Sequence, residues 1–234
     1  MTDKIKVGLI FGGNSSEYEV SIMSAHNIYE EIDTNKFDVY PMWITNDGYL
    51  ANDADSRKVL DNPKMEVANP HKVANISNIV ELKDRPEIDV FFPIVHGNLG
   101  EDGCLQGLFR VLDKPFVGDD VLAAAVTMDK EMTKILAQRA GVPVAKWIAV
   151  KRFEYNDPDN EKLDYEYVAS QLGSDLFVKP SNQGSSVGVS HVTNEKEYKV
   201  ALAEAFKYDD KVLVEETVHL SLIHISEPTR HSLI

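Results

Sequence analysis

Four short stretches concentrate the residues that could do chemistry. "GGNSSEYE", residues 12–19, sets Glu17 and Glu19 behind a glycine pair. Paired glycines turn tightly and let a ligand approach the main chain. A carboxylate facing a cleft suits an ammonium group, and one at a helix start suits the helix dipole, so binding and capping both stand. "HGNLGEDG", residues 96–103, places His96 at the mouth of a glycine-rich loop. That position suits a substrate contact, or equally a histidine satisfying main-chain groups at a strand end. Glu101 and Asp102 could simply start the next helix, and no second His or Cys at ligand spacing supports zinc. "VKPSNQGSSVG", residues 178–188, holds Lys179 extended before a proline and follows it with Gly184, Ser185, Ser186 and Gly188. Its N–H and hydroxyl groups could cradle an anion, and a polar turn between two strands would have the same composition. "MDK" contributes Lys130, a second isolated cation. Neither G-x-G-x-x-G nor G-x-x-x-x-G-K-[ST] is present, which argues against a dinucleotide fingerprint and a Walker loop.

These loops need elements to aim them, and strands alternate with helices. Residues 5–11 form an apolar run that predicts a buried strand. Apolar residues at helical spacing, Ile22, Ala25, Ile28, Tyr29 and Ile32, predict a helix over 20–32. A second strand is expected over 37–45, with a turn at 46–48. Residues 51–80 are polar and weakly periodic and read as excursions or a small hairpin. The nearly continuous apolar run 88–96 predicts a central parallel strand, and a helix follows over about 104–112. This order argues for an open, mostly parallel α/β sheet. Ligands of such sheets bind beyond the carboxyl ends of the strands, so the loops at 12–19 and 96–103 are expected to converge. A second unit is expected from residue 119. Its helical stretch 120–140 stops at Gly141-Val142-Pro143, and strands are expected at 145–150, 175–180, 187–192 and 211–218. Between them lie a charged linker over 151–164, a helix to about 173, and a helix capped by Asn194 with Glu197, burying Tyr198, Ala201, Leu202 and Ala205.

Bulk properties narrow the partners. The 234 residues carry 24 Lys and Arg against 38 Asp and Glu, a net charge of -14. Nucleic acid is bound through clustered basic residues, so it is an unexpected partner, and any anionic ligand needs a local basic pocket. The single cysteine, Cys104, allows no internal disulfide and fits a reducing compartment. No signal segment or run of membrane-spanning length is visible, and a cytoplasmic location is expected.

In order, "FGGNSSEYEVSIMSA", "HGNLGEDGCLQGLF", "PFVGDD…AAAVTMDK", "VKPSNQGSSVGV" and "VLVEE" resemble the D-alanine–D-alanine ligases of bacterial cell-wall synthesis, which are ATP-grasp enzymes. The resemblance covers residues 3 to 218, and the segment after "GYLAND" is similar to the longer, often Gram-positive, branch. It implies a Rossmann-like substrate domain over 1–118 and the first α+β lobe of an ATP-grasp fold over 119–218. It also implies ATP with Mg2+ or Mn2+, D-alanine as substrate, and a homodimer. ATP would phosphorylate one D-alanine carboxylate, and the amine of a second would attack the acyl phosphate, work of positioning and charge stabilisation. By this resemblance Glu17 holds the first ammonium group in a hydrogen-bonded set with Ser185, and His96 lies beside that substrate. Lys130 and Lys179 reach the nucleotide phosphates, and Gly184 and Ser186 belong to a lid over them. Glu215, Glu216 and Val218 line the adenine edge. Past Val218 the family continues with metal ligands, a phosphate-binding arginine and the loop that chooses the second substrate. Here "HLSLIHISEPTRHSLI" stands instead and reads as translated adapter or vector sequence, so the expectation for residues 1–234 is poor Mg-ATP binding and no catalysis. The alternatives are a D-alanine–D-lactate or D-alanine–D-serine ligase, a non-catalytic nucleotide-binding fragment and, at a distance, a dinucleotide-dependent oxidoreductase.

Overall fold

The computed structural model describes residues 4–65, 67–75, 88–157, 160 and 163–219. The chain divides into two compact units, Met1–Thr133 with Asn182–Ser185, and Lys134–Ser181 with Ser186–Ile234.

The first unit is built on strands β1 (Ile5–Gly12), β2 (Phe37–Ile44), β3 (Tyr49–Ala51), β4 (Lys72–Asn75) and β5 (Val90–Pro93), in the order β4-β3-β2-β1-β5. β1 lies between β2 and β5 and is parallel to both, and β3 and β4 extend the sheet with antiparallel pairings. Val7 to Gly12 are buried without interruption, because helices cover both faces of the central strand. Successive side chains alternate between those faces. Leu9 and Phe11 meet Ile22 and Ala25 of α1 (Tyr18–Glu31) and Trp43. Ile10 meets Phe91, Leu105 and Phe109, the last two from α3 (Cys104–Val111). The Phe91 and Phe109 rings stack with centroids 4.9 Å apart.

Two expectations change here. The strand expected over 88–96 ends at Pro93, which has no N–H to donate. Beyond it, the fully buried Ser21 hydroxyl accepts from Gly12 N at 2.8 Å and donates to Ile94 O, tying together the carboxyl ends of β1 and β5. Residues 53–61 form helix α2 (Asp53–Asp61), capped by Asn52 Oδ1 accepting from Asp55 N at 2.7 Å. Its periodicity is hidden because polar groups face inward: Asp55 accepts from His71 N and Ser56 from Trp43 N. The hairpin expectation survives as the β3–β4 pairing, and its part over 76–80 lies outside the described residues.

The expected helix 120–140 is two helices, α4 (Val121–Met128) and α5 (Lys130–Arg139). Asp129 breaks the run by adopting an extended conformation, and its Oδ1 accepts from Met132 N at 3.1 Å. The second unit's sheet runs β6-β9-β7-β8, antiparallel throughout, from β6 (Trp147–Lys151), β7 (Leu176–Pro180), β8 (Ser190–Val192) and β9 (Lys211–Glu216). The charged stretch after β6, expected as linker, begins as helix α6 (Arg152–Tyr155), with Glu154 accepting from Lys151 N at 2.7 Å. Helix α7 (Tyr165–Leu172) precedes β7, and α8 (Glu195–Ala205) starts at Asn194, whose Oδ1 accepts from Glu197 N at 3.0 Å. All four residues expected on its inner face are buried, packed with Val178, Val192 and Val214.

Candidate active site

The loops after β1 and β5 leave the same sheet edge, as topology requires, and they meet. Ser15 Oγ donates to His96 O at 2.8 Å and accepts from Glu17 N at 3.2 Å. The His96 ring is held between Ser24 Oγ, 3.2 Å from Nε2, and Glu101 Oε1, 3.4 Å from Nδ1. The other Glu101 oxygen accepts from Gly97 N at 2.8 Å. Glu101 therefore braces the histidine loop instead of starting the next helix. Asp102 does serve the turn into α3, accepting from Leu99 N and Cys104 N. A cleft of about 370 Å3 opens beside His96, with Glu101, Gln106 and Thr127 among its walls.

Glu17 occupies the N-cap position of α1, yet its side chain makes no cap hydrogen bond. The carboxylate keeps its place at the helix start but takes its hydrogen bond elsewhere: Ser185 Oγ donates to Glu17 Oε1 at 2.5 Å. Glycine backbone approaches it closely. A Cβ on Gly184 would lie 2.8 Å from Glu17 Oε2, and one on Gly97, at φ +75°, would lie 3.2 Å from the same oxygen. Ser185 and Ser186 adopt φ of 46° and 59°, left-handed conformations that cost an L-residue roughly 1–2 kcal/mol each. No Lys, Arg or His pairs with Glu17 among the described residues, so its half-buried charge faces a neutral hydroxyl and main chain. Such a carboxylate can hold an ammonium group. The same loop is tied down by Lys130, whose Nζ donates to Gln183 O.

In the second unit, antiparallel pairing sets Lys179 of β7 opposite Leu213 of β9, close to Glu215. Glu215 is 6% exposed and lies between two ammonium groups. Lys179 Nζ is 2.5 Å from Oε2, and Lys134 Nζ is 3.2 Å from Oε1 as an ion pair without hydrogen-bond geometry. Lys134 also donates to Ala145 O at 3.0 Å and lies 5.3 Å over the Trp147 ring. Two cations on one carboxylate leave a local excess of positive charge in an acidic protein, which fits a phosphate-bearing ligand. Glu216 Oε1 accepts from Lys146 N at 2.7 Å, and the Val218 side chain is exposed.

The structure thus joins Glu17, Gly184 and Ser185 directly and sets His96 on the adjoining loop. Lys179 and Glu215 meet within the other unit. Ser186 lies past the Glu17 contact, in the turn whose carbonyl accepts from Val189 N. Sequence reasoning missed Ser15, Ser24, Glu101 as a brace, and Lys134. Ser15, Ser24 and Glu101 stand inside the quoted motifs, whereas Lys134 belongs to none. Burial, and after it Asp102, pushes the Cys104 thiol above its usual range, which makes it a poor nucleophile. No group of three or more His, Cys, Asp or Glu suited to a metal occurs among the described residues.

The family model described as D-ala D-ala ligase N-terminus matches residues 6–119, and its C-terminus counterpart matches 136–226. The D-alanine–D-alanine ligase of Lactobacillus johnsonii is 99% identical over 219 residues, covering 94% of this chain and 61% of the relative. That of Lactobacillus acidophilus is 76% identical over 218 residues, covering 93% and 61%. The chain therefore spans about 61% of the length of these curated relatives. Among solved structures, the VanG D-Ala:D-Ser ligase from Enterococcus faecalis superposes with a TM-score of 0.77 at 38% identity, covering 93% of this chain and 64% of that one. The D-alanine–D-alanine ligase from Coxiella burnetii gives 0.73 at 31%, covering 92% and 64%. On the two family models and these relatives, the chain belongs to the D-alanine–D-alanine ligase family, with its ATP-grasp fold.

Proposed function

We propose that this chain supplies the amine-binding domain and the first nucleotide-binding lobe of an ATP-dependent ligase that joins two D-alanines for peptidoglycan precursors. The observation that carries the reading is Glu17, a carboxylate held by Ser185 and closely approached by glycine backbone, with no cation paired to it among the described residues. It would take the ammonium group of the first D-alanine, and His96, braced by Ser24 and Glu101, would stand beside that substrate. Lys179, Lys130 and the loop with Gly184 and Ser186 would contact the phosphates of ATP, and the main chain of Glu215, Glu216 and Val218 would receive adenine. ATP supplies the phosphoryl group that activates the first carboxylate, and the protein's part is to position and to stabilise charge. No group of three or more His, Cys, Asp or Glu suited to a metal occurs among the described residues, and the family resemblance is what expects the Mg2+ or Mn2+ ligands in the length of the relatives that this chain does not span. The complete enzyme is read as a cytoplasmic homodimer, and no helix among the described residues is long and apolar enough to cross a membrane.

The test is phosphate release from ATP by the protein extended to its relatives' full length. Release that depends on D-alanine is expected, and release with L-alanine alone, or none with D-alanine, overturns the reading. The likeness to a D-Ala:D-Ser ligase motivates a second reading, in which D-serine is the second substrate. Product analysis with D-alanine and D-serine in competition separates the two.

A further inference from the structure

Lys134 belongs to no motif in the sequence, yet it is the more buried of the two lysines on Glu215, with a side chain 14% exposed against 22% for Lys179. Three different partners fix its ammonium group: the Glu215 carboxylate, the Ala145 carbonyl and the face of Trp147. For the Lys179 ammonium, Glu215 is the partner that the structure shows. One lysine is anchored and the other is held by a single contact.

We propose that Lys134 is a positioning residue for Lys179: it stays on Glu215 and carries that buried carboxylate's charge balance, which frees Lys179 to move onto a polyphosphate. The inference rests on the proposed role of Lys179 as a phosphate contact. A buried carboxylate abandoned by its cation is strongly disfavoured. Without Lys134, the departure of Lys179 would strand Glu215, so Lys179 stays where it is. With Lys134 present, one ion pair survives the exchange. Charge and reach are what Lys134 must provide, and arginine supplies both.

Chemical acetylation of lysine amines, read peptide by peptide by mass spectrometry on the 234-residue chain, reports how firmly each ammonium is held. Lys134→Met should slow modification of Lys179 by on the order of tenfold, because Lys179 is then the one cation left on the buried carboxylate, while Lys134→Arg leaves it within about twofold. Adding Glu215→Gln to Lys134→Met should restore the fast rate, since no carboxylate then remains to hold Lys179. Equal Lys179 rates in the parent and in Lys134→Met overturn the inference. A slowing that Glu215→Gln does not reverse overturns it too, because lost packing would then be the cause. If Lys134→Met fails to fold, seen as a general rise in lysine labelling, Lys134→Gln takes its place with the same expected order. A second arm, run on the protein extended to its relatives' full length, adds ATP, which should protect Lys179 in the parent and less in Lys134→Met. No protection in any variant removes the phosphate role of Lys179, and the order of rates without ATP still decides whether Lys134 governs its release.

Discussion

Glu17 at the N-cap of α1 and Glu215 near the end of β9 are both acidic, and their surroundings treat charge in opposite ways. Glu215 is buried between two ammonium groups, whereas Glu17 is half-buried and receives one hydroxyl and the close approach of two glycines. A paired charge contributes to the fold, because removing either partner leaves the other in a poorly solvating place. An unpaired one does little for the fold and keeps its field for a ligand. The first unit thus presents a carboxylate with no cation paired to it among the described residues, and the second sets two ammonium groups on one carboxylate. Those are the two signs needed for an amino group and for phosphates.

The contrast can be broken most directly at Glu215. Glu215→Ala should lower unfolding free energy by about 3 kcal/mol in urea titrations, the low end for breaking a buried pair, since the two lysines are partly solvated. A change under about 0.5 kcal/mol, the size of an ordinary surface substitution, would show that the pair adds nothing. Glu17→Gln should show the reverse pattern, with urea midpoints kept and affinity for D-alanine lowered about 30-fold, equivalent to about 2 kcal/mol, in the protein of full relative length. Unchanged D-alanine affinity would remove Glu17 from the site. Ser185→Ala isolates the hydroxyl, because alanine suffers the same left-handed backbone, and about a tenfold loss of D-alanine affinity is expected for a hydrogen bond to a charged group. Ser186→Gly relieves a left-handed serine and should raise stability by under about 1 kcal/mol, read as a small rise in melting temperature. The mildest test is pH. The Thr217 hydroxyl and then His191 hold the Asp175 carboxyl below its usual range. A lowered folded-state value means stability that is present above about pH 3.9 and is lost as pH falls through the folded value. Asp175→Asn should flatten that acid limb alone, and an unchanged limb would show that Asp175 does not contribute to it.

Legibility followed how directly a residue type reports its surroundings. β1 and α8 could be read because their buried faces are apolar, as Val7 to Phe11 and Tyr198 to Ala205 show. α2 could not, because its inward face uses Asp55 and Ser56 to bind main-chain N–H groups, and no hydrophobic period records that. The break at Asp129 has no local marker, since neither Gly nor Pro stands among the flanking residues VTM and KEM. In the site, the convergence of two loops followed from topology, and Glu17 with Ser185 followed from family resemblance. The left-handed Ser185–Ser186 pair has no local signature, since glycine is the residue that announces such backbone. Lys134 was invisible for a different reason: an isolated lysine on a polar helix is ordinarily solvated, and only tertiary packing over Trp147 buries this one.

Ser21 deserves a last consequence. Its hydroxyl spans Gly12 and Ile94 from inside the core, so the two strands that launch the ligand-facing loops are clamped upstream of any residue that meets a ligand. Drift in the loops, whether by substitution or by insertion, leaves that clamp intact. The rim can therefore vary in sequence while the alignment of the strands beneath it is kept.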